Sequence, residues 1–155
     1  MEAARTSPDI AGSAAHLRLA ITRAARRLRQ EAAADLSPSA AAALATIERH
    51  GPLTPSELAE LERVSRPTAT RGLAFLAERG LIDRTPDPAD GRSSLVAVTV
   101  SGAETLRRMR RRKNAYLARR MRGLGEEDLA TLTRAADVLE RLLDEDASGG
   151  RGDRG

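Results

Sequence analysis

The chain has 155 residues, enough for one domain with a real core or for a small lobe carrying helical extensions. It contains no cysteine, one phenylalanine and one tyrosine, which excludes disulfides, thiolate metal sites and a cysteine redox switch. The net charge of +4 is not by itself an argument for nucleic acid, because residues 37–100 hold seven arginines against eight acidic side chains, and the excess lies in residues 107–122, where nine Lys or Arg occur without an acid.

With so few aromatics the core must be Leu, Ala, Val and Ile, which favours packed helices. No apolar run approaches the ~18 residues of a membrane span and no secretory leader is visible, so a soluble, cytoplasmic chain with no membrane partner is expected. Residues 1–6 read as disordered. Ser7-Pro8 opens a long helix to about Asp35, whose Ile10, Ala14, Leu17, Ile21, Ala24 and Leu28 form a heptad seam. A second helix, from Ser37-Pro38 to Arg49, carries Leu44 and Ile47 on one side. Thr54-Pro55-Ser56-Glu57 is a capping box opening a third helix, with Leu58, Leu61 and Val64 as a narrow apolar stripe. Ser65 caps a fourth, with Pro67 tolerated in its first turn. On that helix Ala69, Leu73 and Leu76 face inward, and Pro67, Thr70, Arg71, Ala74 and Glu78 face outward. Gly80 ends it as a left-handed residue would.

A hairpin follows, with strands over Leu81–Thr85 and Leu95–Thr99 and with Val96, Val98 and Val100 alternating toward a core. The Pro86–Arg92 connector is rich in turn formers, and Asp90-Gly91 favours a positive φ. Ser101-Gly102-Ala103-Glu104 reads as another capping box, launching a helix to about Arg122 that is expected to act as a lever. Near the end, Leu129, Leu132, Ala136, Leu139 and Leu143 form a second seam, and residues 147–155 read as a disordered tail. Two seams at opposite termini are covered most economically by each other and by a second copy of the chain; an intramolecular bundle is the alternative.

A short helix bearing Ser65, Arg66, Thr68, Thr70 and Arg71 beside a ribbon bearing Arg92 is shaped to enter one groove of duplex DNA and touch the next. Arg71 has the fork that bonds guanine or phosphate bidentately. Arg92, beside a glycine at a hairpin tip, suits the negative potential of a narrow minor groove. Asp90 would repel phosphate and is expected to brace Arg92 or a neighbouring arginine. Arg84 reads equally as a phosphate contact or as surface. The run Arg107–Lys113 reads first as a solvated face, with relief expected from Glu126, Glu127 and Asp128 or from phosphate. His16 and His50 are isolated, and neither a metal cluster, a catalytic triad, a carboxylate pair nor a phosphate loop is recognisable, so no cofactor, metal or enzymatic activity is expected.

The stretch LTPSELAELERVSRPTATRGLAFLAERGLIDRTPDPADGRSSLVAVTVSGAETL resembles the winged helix-turn-helix of MarR family bacterial transcription regulators. The likeness is carried by Asp90-Gly91-Arg92 running into Leu95 and Thr99 after Arg79-Gly80-Leu81. One departure is Arg63 at a turn position that often holds glycine, preceded by Glu62, which is placed to pair with Arg66 or Arg71. The resemblance implies a mainly α fold with a small β-wing. It has an N-terminal dimerisation helix (7–36), a DNA-binding lobe (37–100) and linker and C-terminal dimerisation helices (101–146). It further implies a homodimeric, sequence-specific double-stranded DNA-binding regulator on a palindromic operator, with Ser65, Arg66, Pro67, Thr68, Thr70, Arg71, Arg84 and Arg92 at the DNA. A small-molecule effector would bind between the dimer helices and the lobe and release the DNA. The alternatives are a winged-helix protein-interaction module and a non-specific nucleic-acid-binding protein using the 107–122 helix.

Overall fold

The computed structural model describes residues 9–33 and 35–149, with side chains through 144. The expectations for residues 1–6, for the Ser7-Pro8 helix start and for 150–155 lie outside the described residues. The chain divides into two compact units, residues 1–116 and 117–155.

In the first unit, α1 spans Ile10–Ala32 and is capped by Asp9, whose carboxylate accepts from the Gly12 amide at 2.9 Å. It stops at Ala32 rather than near Asp35, because the Ser37-Pro38 pair needs extended backbone (Ser37 ψ 156°) and the chain turns there. Helix α2 spans Pro38–His50 and buries Ala40, Leu44 and Ile47. Helix α3 spans Pro55–Leu61 and begins at the Thr54/Glu57 capping box. The Glu57 carboxylate is held below its ordinary 4.5, first by the Thr54 amide and then by the Thr54 hydroxyl. In this seven-residue helix the buried pair is Leu58 and Ala59, whereas Leu61 and Val64 of the expected stripe are exposed. The helix is too short to carry a stripe through three positions, and the turn that follows lifts Val64 away.

That turn passes through Arg63 at φ 52°, a left-handed non-glycine residue, with the Val64 amide bonding back to the Ala59 carbonyl at 3.0 Å. Helix α4 spans Arg66–Glu78, buries Ala69, Leu73 and Leu76 as its period requires, and ends before Gly80 at φ 67°. Arg79 lies over the Phe75 ring at 4.4 Å.

Strands β1 (Ile82–Pro86) and β2 (Ser94–Val98) pair antiparallel from Ile82↔Val98 to Pro86↔Ser94. A third, one-residue strand was not apparent in the sequence: Leu53 exchanges both amide bonds with Val96 and pins the wing to the loop before α3. Val100 breaks the expected alternation; it is 76% exposed and already helical.

Helix α5 spans Val100–Met121, so the capping box expected at Ser101 does not form. Thr99 caps instead: its hydroxyl accepts from the Gly102 amide at 3.0 Å and donates to the Gly80 carbonyl at 2.7 Å. Glu104 faces Arg107 at 4.0 Å. Leu106 and Met109 of α5 join one core with Ala32, Leu36, Leu44, Ile47, Leu58, Leu73, Leu76 and Val96.

In the second unit, α6 spans Glu126–Gly149 and enters the first three residues of the expected tail. Its first turn holds Glu126, Glu127 and Asp128, where they complement the helix's own dipole. Within the first unit, the arginine run faces Asp35, Glu48 and Glu104.

Gly102 is buried, and a Cβ there would stand 2.1 Å from the Leu81 carbonyl oxygen, a backbone atom that cannot swing aside. Gly102→Ala is expected to remove about 1–3 kcal/mol of stability through overpacking. Gly91→Ala, with open space around its site, should leave the melting temperature nearly unchanged. Thermal unfolding of the two variants checks this.

Candidate nucleic-acid interface

Helix α4 packs against α3 and against β1, and α3 packs against β2. Ser65 caps α4, accepting from the Thr68 amide at 3.4 Å, and its hydroxyl lies 2.9 Å from the Thr68 hydroxyl. The Arg71 guanidinium donates to the Thr68 hydroxyl at 3.5 Å. Ser65, Thr68 and Arg71 thus form a string of hydroxyls and guanidinium along one edge of α4. Arg66, Pro67 and Thr70 share the exposed side of the same helix. Helical period alone produces this division, because burying Ala69, Leu73 and Leu76 turns the remaining positions outward. Such a face carries donors for base edges and phosphates without bulky apolar groups to hold it off.

Arg84 is exposed on β1, opposite Val96, and Arg92 is exposed in the connector. Neither they nor Arg66 make an ion pair among the described residues. The connector is shaped by aspartates. Asp87 accepts from the Ala89 amide at 2.9 Å and Asp90 from the Arg92 amide at 3.0 Å. The Ser93 amide then bonds the Asp90 carbonyl at 2.9 Å, and the Asp87 amide the Ser93 carbonyl at 3.1 Å. Asp90 therefore holds the backbone of Arg92 rather than its guanidinium. Because that side-chain turn sets the connector, Gly91 does not take the expected positive φ; among the described glycines only Gly80 does.

Glu62 pairs with neither Arg66 nor Arg71. Its carboxylate accepts a short hydrogen bond from the Thr46 hydroxyl of α2, which ties the turn to the helix behind it. Two features were not apparent in the sequence. A cleft of about 390 Å³ lies among α2, α3 and α4, with Ala40, Ala43, Leu58, Gly72 and Phe75 among its walls and Glu62, Thr68 and Arg71 on its lining. A second, of about 260 Å³, lies among the end of α1, α2 and α5. Runs of alanine, with one glycine in α4, are the trace they leave in the sequence.

A helix-turn-helix with a two-stranded wing, exposing hydroxyls and arginines on its second helix, defines a winged helix DNA-binding protein. Comparison with known proteins agrees. The MarR family model matches residues 36–94. An HTH-type transcriptional regulator of Mycobacterium tuberculosis is 41% identical over 133 residues, covering 85% of this chain and 93% of the relative. A crystal structure of a Pseudomonas aeruginosa protein superposes with a TM-score of 0.79 at 36% identity, over 88% of this chain and 97% of that one. A mutant of S. aureus MepR bound to an oligodeoxyribonucleotide shares the fold at 19% identity, with a TM-score of 0.66 over 84% of this chain and 97% of that one. The chain belongs to the MarR family of winged helix-turn-helix transcription regulators.

The role of Asp90 is separable by substitution. Asp90→Ala removes the acceptor that shapes the connector and is expected to weaken duplex DNA binding several-fold. Asp90→Asn keeps an oxygen for the Arg92 amide and discards a charge that repels phosphate, so it should bind at least as tightly as the unsubstituted chain. Fluorescence anisotropy with a labelled duplex at fixed ionic strength distinguishes the two.

Proposed function

We propose that this regulator works in the cytoplasm as a homodimeric repressor, reading a palindromic operator with two copies of α4 and two wings. The observation that carries the reading is the exposed Ser65–Thr68–Arg71 string of α4 beside a wing connector held in shape by Asp90. Base-edge readout falls to Arg71, Thr70 and Thr68, minor-groove contact to Arg92, and phosphate positioning to Arg66, Arg84 and the exposed start of α4. Pro67 keeps that start rigid and flat.

The arginine run supports sequence-specific rather than general nucleic-acid attraction. Arg108 and Arg112 both engage Asp35, at 3.3 and 2.7 Å, and Arg110 engages Glu48. Those three guanidinium groups face acids of the chain itself, whereas Arg66, Arg84 and Arg92 of the lobe make no ion pair among the described residues.

The apolar seams support a second copy. Ile10 is 76% and Leu143 70% exposed in the single chain, and Leu17, Ile21 and Leu132 are exposed as well. Apolar residues at heptad spacing on both terminal helices match the need of an isologous two-fold interface. Such a dimer presents two recognition helices to half-sites about 34 Å apart. The cavity among α1, α2 and α5 is the site proposed for a small-molecule effector, which acts only by favouring one spacing of the two lobes over the other. No helix among the described residues is long and apolar enough to cross a membrane.

Selection of bound sequences from random duplex DNA tests the reading. A palindrome with two half-sites one helical turn apart is expected. Its enrichment should fade with Arg71→Ala and with Arg92→Ala, each costing about 1–3 kcal/mol at its own positions. Failure to enrich any sequence would overturn it. The dimer is tested independently: Leu17→Glu with Ile21→Glu is expected to shift the sedimenting species to monomer at micromolar concentration. Operator affinity should fall at least tenfold with it, since the half-sites are then bound independently.

A further inference from the structure

Asp35, in the connection between α1 and α2, ties that connection to α5 by charge. Its Oδ2 accepts from Arg108 Nε at 3.3 Å and from Arg112 Nη1 at 2.7 Å, and its Oδ1 accepts from Arg108 Nη2 at 3.3 Å. The two arginines stand one turn apart on the same flank of α5. Arg108 is steadied further by Thr105, whose hydroxyl accepts from its Nη2 at 3.3 Å and whose side chain is buried, as are Leu106 and Met109 of the same helix. Bonds between guanidinium and carboxylate of this kind are directional as well as strong. The Asp35 side chain is 19% exposed, whereas those of Arg108 and Arg112 are 44% and 40% exposed. Removing the carboxylate therefore strands no buried cation, and the clamp matters more for geometry than for stability.

The start of α5 is pinned where the Thr99 hydroxyl accepts from the Gly102 amide and donates to the Gly80 carbonyl. Arg108 and Arg112 lie about 9 and 15 Å beyond Gly102 along the helix axis. A helix held only at its first turn can pivot about that turn; a second hold further along removes the pivot. We propose that Asp35 is a positioning residue for operator spacing: by holding Arg108 and Arg112 it fixes the direction of α5, and with it the separation of the two α4 helices in the dimer. The inference rests on the reading of a two-fold dimer on a palindrome and names the residue that holds its spacing. Helix α5 carries the chain from the lobe toward α6, so the angle at which it leaves decides where each lobe stands about the two-fold axis. Asp35 lies on neither α4 nor the wing, so its loss leaves the contacts to a single half-site intact. The sign of its effect separates geometry from bulk charge. Losing an acid makes the chain more cationic, which by attraction alone would strengthen binding to DNA. Loss of positioning weakens it.

The test uses the full-length chain and duplexes bearing either one selected half-site or two inverted copies, their separation varied in single base-pair steps of about 3.4 Å. The unsubstituted chain is expected to favour one separation. Asp35→Asn, which keeps the shape and removes the charge, should bind the single half-site as before. It should bind the favoured palindrome about three- to tenfold more weakly, because the second half-site is presented less often at the right place. It should also accept separations one base pair shorter and longer almost equally. Arg108→Gln with Arg112→Gln should reproduce this profile, and adding Asp35→Asn to that pair should change nothing further. Asp35→Glu, which restores the charge, should recover the preference. A second measurement needs no DNA. The chain has no cysteine, so Glu78→Cys at the exposed end of α4 accepts one spin label per copy. The label-to-label distance distribution in the dimer should become at least twice as wide with Asp35→Asn. An unchanged spacing preference, tighter binding of the favoured palindrome, or an equally narrow distance distribution in Asp35→Asn would each overturn the inference alone. Absence of label coupling, or of any favoured separation, in the otherwise unsubstituted chain would instead bring down the dimeric reading and the inference with it.

Discussion

The Thr99 hydroxyl donates to the Gly80 carbonyl and accepts from the Gly102 amide, so one side chain joins the end of the recognition helix to the start of α5. The Thr99 amide adds a bond to the Leu81 carbonyl at 3.1 Å. These contacts compress three events, the stop of α4, the return of the wing and the launch of α5, into a single junction. Gly102 completes it by letting the α5 backbone approach Leu81 more closely than any side chain would permit. The direction of α5 relative to the reading head is set here. The ion pairs of α5 and the cavity that it lines depend on that direction.

Charge is distributed so that bulk attraction and specific contact are separated. The densest cationic stretch of the chain spends several of its guanidinium groups on Asp35, Glu48 and Glu104. The DNA-facing lobe is nearly neutral in sum but leaves individual arginines exposed at defined places. A protein built this way gains little from net charge and much from the placement of α4 and the wing. Sequence preference requires that arrangement, since phosphate attraction alone carries no sequence information.

The near absence of aromatic residues shapes the interior. Leucine and alanine helices pack closely at their leucines, with Leu44, Ile47, Leu58, Leu73, Leu76 and Val96 fully buried. Where alanines meet, as along α2, they leave space that larger side chains would have filled. The cavities on either side of α2 are thus consequences of the same composition that makes the lobe helical.

Local chemistry in the chain was enough to define most elements. The Thr54/Glu57 box, the Ser65 cap, the Gly80 stop and the inward triad Ala69, Leu73 and Leu76 all depend on interactions within four residues, which is why they were legible. The outward placement of Thr70 and Arg71 followed from the same period. What only the tertiary structure decided involves partners far apart in the chain. Glu62 looked toward the adjacent arginines but bonds Thr46, sixteen residues back. The arginine run engages Asp35 and Glu48, more than sixty residues away. The helix start expected at Ser101 moved because Thr99 reaches Gly80, nineteen residues earlier. Hydrogen bonds within a turn are written in neighbouring residues; ion pairs and close backbone approaches are chosen by whichever groups the folded chain brings together, and no local pattern encodes that choice.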